Sequence, residues 1–393
     1  MKLKVWLSYI FFVIITIVVA ALLSRTVILT EPVPENVGIR AFYEEQQNNI
    51  DAVFVGPSSI FTTILPPVAY HKYGITTAAY AIPNLLTEQY IHCIRDILKY
   101  QKPKVIFICV DNMFISHKKS DLTPFILNFI YHIKMSLNKI KIVYEYKKIP
   151  KISYIELLEY YFPIIRFHHK WKKIRINSFT DNCNSHKGAL TFFIDFHVRK
   201  FDFKKYKDEQ KKIIDLRRKK ESVKREKLIE RQYDVYYKDV PLLKFKKSLH
   251  DLFISLLSFY DVKFVLIETP FALPFPVEQI DLNKSICYDT VYNIAQKYEI
   301  DYIDMNSKKV LQDLKIDENN DFLDFNHLNF WGAMKTTDYL ANLLVTKYGL
   351  KDKRNDVNYD SWNKEYEFYR NEIKRRYNID IESGELGNSE TNN

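Results

Sequence analysis

Cysteine is rare in this sequence, and the few cysteines do not form a metal-binding motif. The 393 residues include four cysteines, and no two of them stand in a Cys-x-x-Cys pair. The sequence therefore gives no cysteine signature of a metal site, and we expect neither a metal ion nor an organic cofactor. Cys93 and Cys109 lie in apolar stretches and are interpreted as buried thiols.

Side chains that are charged at neutral pH are absent from residues 5–23, and this absence predicts a membrane span. A helix of this length reaches roughly 28 Å at about 1.5 Å per residue, close to the hydrocarbon thickness of a bilayer. Lys2 and Lys4 precede the run, and only Arg25 closely follows it. By the positive-inside rule, residues 1–4 are a cytoplasmic stub and the chain after Ser24 lies outside the cytoplasm.

A cleaved signal peptide is the alternative to a membrane anchor. Ala20, Ala21 and Ser24 are small enough for a cleavage site, but the apolar run is longer than a usual signal core, which favours the anchor. Either way the folded part is exported, so a nucleic-acid partner is not expected although the formal net charge is +10. Anionic lipid or an anionic wall polymer suits a basic exported chain better.

Hydrophobic residues make up 47% of the chain, enough to bury a substantial core. Short apolar runs bounded by turn residues predict five strands. They lie at Ala52–Val55, Ile75–Ile82, Val105–Val110, Val262–Ile267 and Asp301–Asp304. Helical periods separate them, so the sequence predicts an α/β fold with a doubly wound parallel sheet of about five strands.

The domain organisation follows from the same pattern. Pro32 and Pro34 disfavour helix and predict a short extended stalk before the folded domain. Beyond the domain, apolar residues at helical spacing predict a helix over Ser361–Tyr377, and the chain from Ser383 is predicted to be disordered. The predicted segments are a membrane anchor (5–23), a stalk (24–42), a domain (43–350) with its core in 43–115 and 240–350 and a largely helical insertion (116–239), and a carboxyl-terminal part (351–393).

The insertion carries a charged run from Arg199 to Arg231. It is interpreted either as a solvated amphipathic helix or as a face that meets lipid phosphates or an anionic polymer. His168 and His169 are adjacent in sequence, so on a regular element their side chains would point apart. They are therefore poor candidates for joint metal ligands.

Two serines, Ser58 and Ser59, follow the first predicted strand, and in an open parallel sheet sites gather at the carboxyl ends of strands. A serine hydroxyl becomes a nucleophile when an imidazole takes its proton and a carboxylate orients that imidazole. Asp324 and His327 stand three residues apart in a predicted turn, just before a helix that Asn329 can cap. They can supply both groups at the same edge of the sheet.

These residues carry a resemblance to a known family. Gly56-Pro57-Ser58 and Asp324-Phe325-Asn326-His327 resemble the first and last signature blocks of the SGNH (GDSL-type) hydrolases. The stretches Tyr161–Lys172 and His327–Ala333 are similar to membrane-anchored bacterial members, near the teichoic-acid D-alanylation protein and the polysaccharide O-acetyl esterases and transferases. The resemblance implies a three-layer, flavodoxin-like fold.

The same resemblance assigns roles to the candidate residues. Ser58 holds the third place of the Gly-Asp-Ser pattern and is the expected nucleophile, with Ser59 as the fallback. His327 is the expected general base, and Asp324 is expected to orient it. Pro57 replaces the usual aspartate and has no amide hydrogen to donate.

The implied oxyanion donors are less regular than the rest of the pattern. They are the amides of Ser58 and Ala81 and the side chain of Asn112, with Asn84 as a further contributor. Asp111, beside Asn112, would repel an oxyanion. Either asparagine could instead cap a turn.

The expected function is an extracytoplasmic serine esterase or O-acyltransferase acting on acetyl or D-alanyl esters of a cell-wall or secreted polysaccharide. An integral-membrane acyltransferase is an expected partner. One alternative is an inactive SGNH-like scaffold in a membrane-bound polysaccharide-modification complex. The irregular set of oxyanion donors would suit this alternative. The other is a lipid esterase that the basic insertion brings to the membrane.

Overall fold

The computed structural model is an α/β structure built on one parallel sheet. It describes residues 2–29, 34–111, 113, 129–146, 153–173, 187, 189, 250–256, 259, 261–272, 290–324 and 326–382. Its strands are β1 (Ala52–Gly56), β2 (Thr77–Ala81), β3 (Val105–Cys109), β4 (Lys263–Glu268) and β5 (Asp301–Asp304). All four pairings are parallel, and each predicted strand is confirmed to within two residues at either end.

The strand order is β2-β1-β3-β4-β5, which is the flavodoxin-like order. The chain leaves β1 toward β2 on one side and then returns to place β3 on the other side of β1. The crevice at the carboxyl ends of β1 and β3 is therefore the switch point, where open α/β sheets bind their ligands. The core is discontinuous in sequence, as predicted, because β4 and β5 follow β3 only after a long insertion.

The α-helices that have both ends defined are α1 (Lys2–Leu29), α2 (Pro34–Glu44), α3 (Pro66–Tyr73), α4 (Tyr90–Tyr100), α5 (Leu137–Tyr146), α6 (Tyr154–Tyr161), α7 (Pro163–Arg166), α8 (Lys308–Leu314), α9 (Phe330–Thr346) and α10 (Asp360–Tyr377). Residues 250–256 and 290–297 are also helical. The predicted helix ahead of β4 and the one ahead of β5 fall on these two segments.

Helices cover both faces of the sheet. Successive strand residues alternate between the faces, so Val53 and Val55 pack with α2, α4 and the segments 250–256 and 290–297. Phe54 points to the other face, where α3, α8 and α9 lie and where its ring stacks on Phe107 at a centroid distance of 4.5 Å. Strands buried on both faces explain why their sequences are continuous apolar runs.

The predicted stalk over residues 24–42 is wrong. α1 continues to Leu29, and α2 begins at Pro34 and packs against β2. Proline is tolerated in the first turn of a helix, where its missing amide hydrogen has no partner in any case. Ile39 and Phe42, three residues apart, are both buried in the core, so the folded domain begins before residue 43.

The amino-terminal helix is long and apolar enough to span a membrane. Within α1 the candidate span is Lys4–Ser24, and most of its side chains are exposed. This agrees with the predicted anchor over residues 5–23.

The predicted carboxyl-terminal helix is confirmed as α10, with Trp362, Tyr366, Tyr369 and Ile373 buried against the body. The insertion is helical where it is described, in α5, α6 and α7. The charged run Arg199–Arg231 and the tail from Ser383 lie outside the described residues.

Candidate active site

The serine turn is held close to the end of β3. Gly56 closes β1, and a side chain there would put its Cβ 2.5 Å from the Cβ of Cys109. Since Gly56 has no side chain, β1 and β3 can approach closely at the switch point. Pro57 then leads into the 3-10 helix Ser58–Thr62, so that Ser58 is the first residue past the turn.

A tight loop presents the aspartate and the histidine on one side. Phe322 and Leu328 form an isolated antiparallel bridge, and the amide of Leu323 donates to the carbonyl of His327 at 2.9 Å. Asn329 caps α9 as predicted, because its side chain accepts from the amides of Trp331 and Gly332. Residues 321–324 and 326–329 therefore form a loop that folds back on itself directly before α9.

The loop also packs closely on the first turn of α9. A Cβ at Gly332 would overlap the carbonyl oxygen of Asp321, so only glycine allows this approach. The amide of Leu328 donates to the hydroxyl of Thr62 at 3.3 Å, which ties the loop to the serine-bearing 3-10 helix.

The two distant stretches meet, as predicted. The Oγ of Ser58 lies 2.8 Å from Nε2 of His327. On the other side of the ring, Nδ1 lies 2.8 and 3.0 Å from the two carboxylate oxygens of Asp324. The three side chains thus form a continuous chain of hydrogen bonds across 269 residues of sequence separation between Ser58 and His327.

The carboxylate is held in its ionised form. Burial acts to raise the pKa of Asp324, but hydrogen bonds from the His327 ring and from the amides of Asn326 and His327 outweigh it, and the pKa lies below its ordinary value. An ionised Asp324 keeps the ring proton on Nδ1, so that Nε2 is the acceptor facing Ser58. The imidazole is 17% exposed and Asp324 is 39% exposed, so solvent can reach the site.

The neighbouring hydroxyl does not share this position, so the fallback assignment of Ser59 is not supported. Ser59 is buried, and its hydroxyl donates to the carboxylate of Asp111 at 2.9 Å. Its Oγ also lies 3.7 Å from Sγ of Cys109. Ser59 fastens the turn to β3 and leaves Ser58 as the serine bonded to the imidazole.

Asp111 connects the ends of three strands. Besides Ser59, which follows β1, it accepts from the amide of Thr269 at 3.1 Å and from the Thr269 hydroxyl, just beyond β4. Burial raises the pKa of Asp111, against the opposing effect of these hydrogen bonds. Both carboxylate oxygens are engaged, so Asp111 braces the serine turn.

Sequence reasoning missed this bracing role of Asp111 and Thr269. A usable signal was present, since Asp111 directly follows the apolar run of its strand and Thr269 directly follows the last residue of β4, Glu268. Pairing them requires knowing that β3 and β4 are neighbours, which the sequence did not supply.

The oxyanion donors are only partly defined. Among the described residues we find no acceptor for the Ser58 amide, which is therefore available to a bound oxyanion. Ile82, the residue directly after β2, donates its amide to the carbonyl of Gly56 at 2.9 Å, and Ala81 does not. Because successive residues of a strand point in opposite directions, the amide of the buried Ala81 faces away from β1 and from Ser58.

Two asparagines complete the account of the predicted donors. Asn84 is exposed in the loop after β2, where its φ of 55° places it in the left-handed region typical of turns. Asn112 lies outside the described residues. The Ser58 amide is thus the donor that the geometry favours.

The remaining sequence candidates do not form a second site. Cys93 and Cys109 are buried free thiols, as predicted, and burial raises the pKa of both. The rings of His168 and His169 are nearly perpendicular, at 83°. Within the part of the chain that the structure describes, no group of three or more histidine, cysteine or acidic side chains could hold a metal ion.

The geometry alone is that of a serine nucleophile, an imidazole base and an orienting carboxylate at the switch point of a parallel sheet. Comparison with known proteins adds no assignment to it. No protein-family model matches this chain, and a search of curated proteins finds no match.

Proposed function

We propose that this protein is a serine esterase or O-acyltransferase of SGNH type. The observation that carries the proposal is the hydrogen-bonded chain from Ser58 through His327 to Asp324, with Ser58 Oγ 2.8 Å from the imidazole. A hydroxyl in that position is an activated nucleophile, because Nε2 can take its proton as a bond to carbon forms.

The chemistry proceeds in two half-reactions. Ser58 Oγ attacks an ester carbonyl while His327 Nε2 accepts its proton, and the Ser58 amide stabilises the oxyanion. His327 then returns the proton to the departing alkoxide, so an alcohol leaves and the acyl group stays on Ser58. Water or a second hydroxyl attacks the acyl-enzyme, His327 again relays the proton, and the acyl group leaves as an acid or as a new ester.

The proposed substrates are acetyl or D-alanyl esters of a cell-wall or secreted polysaccharide outside the cytoplasm. Two features support this proposal: the resemblance of the serine and histidine blocks to membrane-anchored SGNH proteins, and an amino-terminal helix apolar enough to anchor the chain. An integral-membrane acyltransferase would be a natural partner, supplying acyl groups to the same polymer. The proposed location is the cytoplasmic membrane, with the α/β domain on its outer side.

Labelling with a fluorescent fluorophosphonate tests the nucleophile directly. The full chain should form one adduct, and Ser58→Ala should abolish it. Ser361→Ala is the control, because it removes an exposed serine hydroxyl on α10 and leaves the serine turn and its contacts unchanged. If the wild-type chain shows a cooperative thermal unfolding transition but forms no adduct with the probe, the proposed enzyme is refuted and the inactive scaffold is favoured.

The substrate class needs a separate comparison. We expect release of acetate from an acetylated glycan to exceed release of fatty acid from a phospholipid in mixed micelles, with both activities lost in Ser58→Ala. Faster Ser58-dependent turnover of the phospholipid would identify a lipid esterase instead.

A further inference from the structure

The helices of the insertion reach the end of the membrane-spanning candidate. α7 packs against α1, and the amide of Ile164 donates to the hydroxyl of Ser24 at 3.2 Å. Ser24 is buried, whereas the side chains of residues 4–19 in α1 are exposed. The contact therefore lies at one end of the helix, and the rest of the apolar run is left uncovered.

The position of this contact fixes the depth of α7 in a bilayer. Ser24 is the last residue of the candidate span Lys4–Ser24. If α1 crosses a membrane, Ser24 lies at the boundary between hydrocarbon and headgroups, and α7 must lie there too.

The helix joined to α7 is apolar on both sides. Tyr160 is buried and Leu157 packs against the core, which accounts for the inward side of α6. On its other side Tyr154, Ile155 and Leu158 are 78%, 66% and 50% exposed. Apart from its two glutamates, α6 therefore carries apolar side chains both toward the core and toward the outside. So wide an apolar surface is expected in a protein core or in lipid rather than against water.

The exposed apolar surface extends beyond α6. Ile165 of α7 is also exposed, next to the contact with α1. On the inner side, the hydroxyl of Tyr161 donates to the carbonyl of Ile140 in α5, which places α5 beside α6. The exposed apolar residues of α5 are Leu137, Ile140 and Tyr144, which recur at the spacing of a helical stripe.

The two glutamates of α6 have local hydrogen-bonding or ionic partners. Glu156 is engaged in a capping box with Ser153, and Glu159 pairs with Arg166 at 3.3 Å. Lys172, a few residues further on, is exposed. A surface with apolar side chains, an exposed lysine and carboxylates that have local partners is complementary to lipid headgroups above acyl chains.

We propose that α6 and α7 form a second membrane contact, lying in the interface of the leaflet at the carboxyl end of α1. Tyr154, Ile155, Leu158 and Ile165 would enter the boundary between headgroups and acyl chains. The inference requires that α1 spans the bilayer, but it is independent of the proposed catalysis. Two contacts, one spanning and one interfacial, would fix the orientation of the domain relative to the membrane.

Spin-label depth measurements test this contact. Ile155→Cys, Leu158→Cys and Ile165→Cys are introduced singly into the full chain, in a background in which Cys183 and Cys287 are serine. The matched control is Phe368→Cys on α10, an apolar residue that is 44% exposed. The native Cys93 and Cys109 are buried and should not react with the label while the protein is folded. A stoichiometry of one label per chain therefore also shows that the core is folded.

The labelled proteins are reconstituted in vesicles of phosphatidylglycerol and phosphatidylethanolamine. The ratio of collisions with oxygen to collisions with a water-soluble nickel chelate should be several-fold higher at residues 155, 158 and 165 than at residue 368. Ratios equal to that of residue 368 would overturn the proposal, because they would show that this face of α6 and α7 does not enter the lipid. Fluorophosphonate labelling of the same vesicles reports the proposed function separately, so the two can fail independently.

Discussion

Replacing Asp324 with asparagine tests whether the carboxylate sets the tautomer of His327. One carboxylate oxygen accepts from the amides of Asn326 and His327, both at 2.9 Å, and the other lies 2.8 Å from Nδ1. In Asp324→Asn the carbonyl oxygen can keep the two amide bonds, which turns the side-chain NH2 toward Nδ1. A donor in that place stabilises the tautomer with its proton on Nε2, which cannot accept the proton of Ser58.

The expected loss is large because the base itself is disabled while the site remains folded. In serine proteases the equivalent change lowers kcat about 10⁴-fold, which is about 5.4 kcal/mol at 1.36 kcal/mol per tenfold. We expect a decrease of that order in the hydrolysis of an aryl acetate and in the rate of fluorophosphonate labelling. Asp338→Asn is the control, since Asp338 lies on α9 outside the triad, where it pairs with Lys72 at 2.9 Å and accepts from the hydroxyl of Tyr73 at 3.1 Å.

A second measurement on the same variant uses pH. The pKa of Asp324 is lowered in the folded protein, so its contacts contribute stability above the unfolded-state value of about 4, and this contribution is lost as the pH falls through the folded-state pKa. The difference in unfolding free energy between wild type and Asp324→Asn should therefore shrink below about pH 4. An activity within tenfold of wild type, in a preparation where Ser58→Ala is inactive, would refute the tautomer argument.

Two further predictions concern residues outside the triad. Gly56→Ala should destabilise the protein by about 1–3 kcal/mol in urea unfolding, because the new methyl group overlaps Cys109; an unchanged midpoint would mean that β1 and β3 can separate freely. Asp96 is fully buried and accepts hydrogen bonds from the hydroxyls of Tyr43 and Tyr80. Its other carboxylate oxygen has no partner among the described residues, and burial raises the pKa of Asp96 despite the two hydrogen bonds. Its folded form therefore binds a proton more tightly, so wild-type stability should fall as the pH rises above about 4, by up to about 1.4 kcal/mol per pH unit until the folded-state pKa is passed. Asp96→Asn should flatten that slope, and an equally steep slope in the variant would assign it to other groups.

The sheet could be predicted because its strands are buried on both faces. Runs such as Val105–Cys109 are continuous in apolar residues and end at polar or turn residues, so local sequence marks them. The meeting of Ser58 with His327 followed from one general rule, that strand ends and helix starts share an edge. Asn329 capped α9 as expected because capping is a local interaction.

What failed depended on contacts distant in sequence. Pro32 and Pro34 predict a stalk where α2 lies, and the helix forms because β2 and its neighbours supply a surface that buries Ile39 and Phe42. The bracing by Asp111 required the strand order. The orientation of the Ala81 amide depends on which neighbour β2 pairs with, and no local signal gives that.

The position of Ser58 relative to His327 does not rest on the triad alone. The hydroxyl of Thr336 donates to the carbonyl of Thr63 at 2.7 Å, and the amide of Leu65 donates to the hydroxyl of Thr337 at 2.9 Å. Both threonines lie on α9, directly after the histidine loop, and both are fully buried. α9 is therefore fastened to the segment that follows Ser58 by contacts that no triad substitution removes.

Thr336→Val tests this fastening. Valine keeps the shape of threonine but leaves the buried carbonyl of Thr63 without this donor, which costs about 1–3 kcal/mol. If α9 positions the base, the fluorophosphonate labelling rate should fall along with stability, although the substitution touches neither Ser58 nor His327. Thr346→Val, at the exposed end of the same helix, should change neither. A destabilised Thr336→Val that labels at the wild-type rate would show that the loop before α9 holds His327 in place without help from α9.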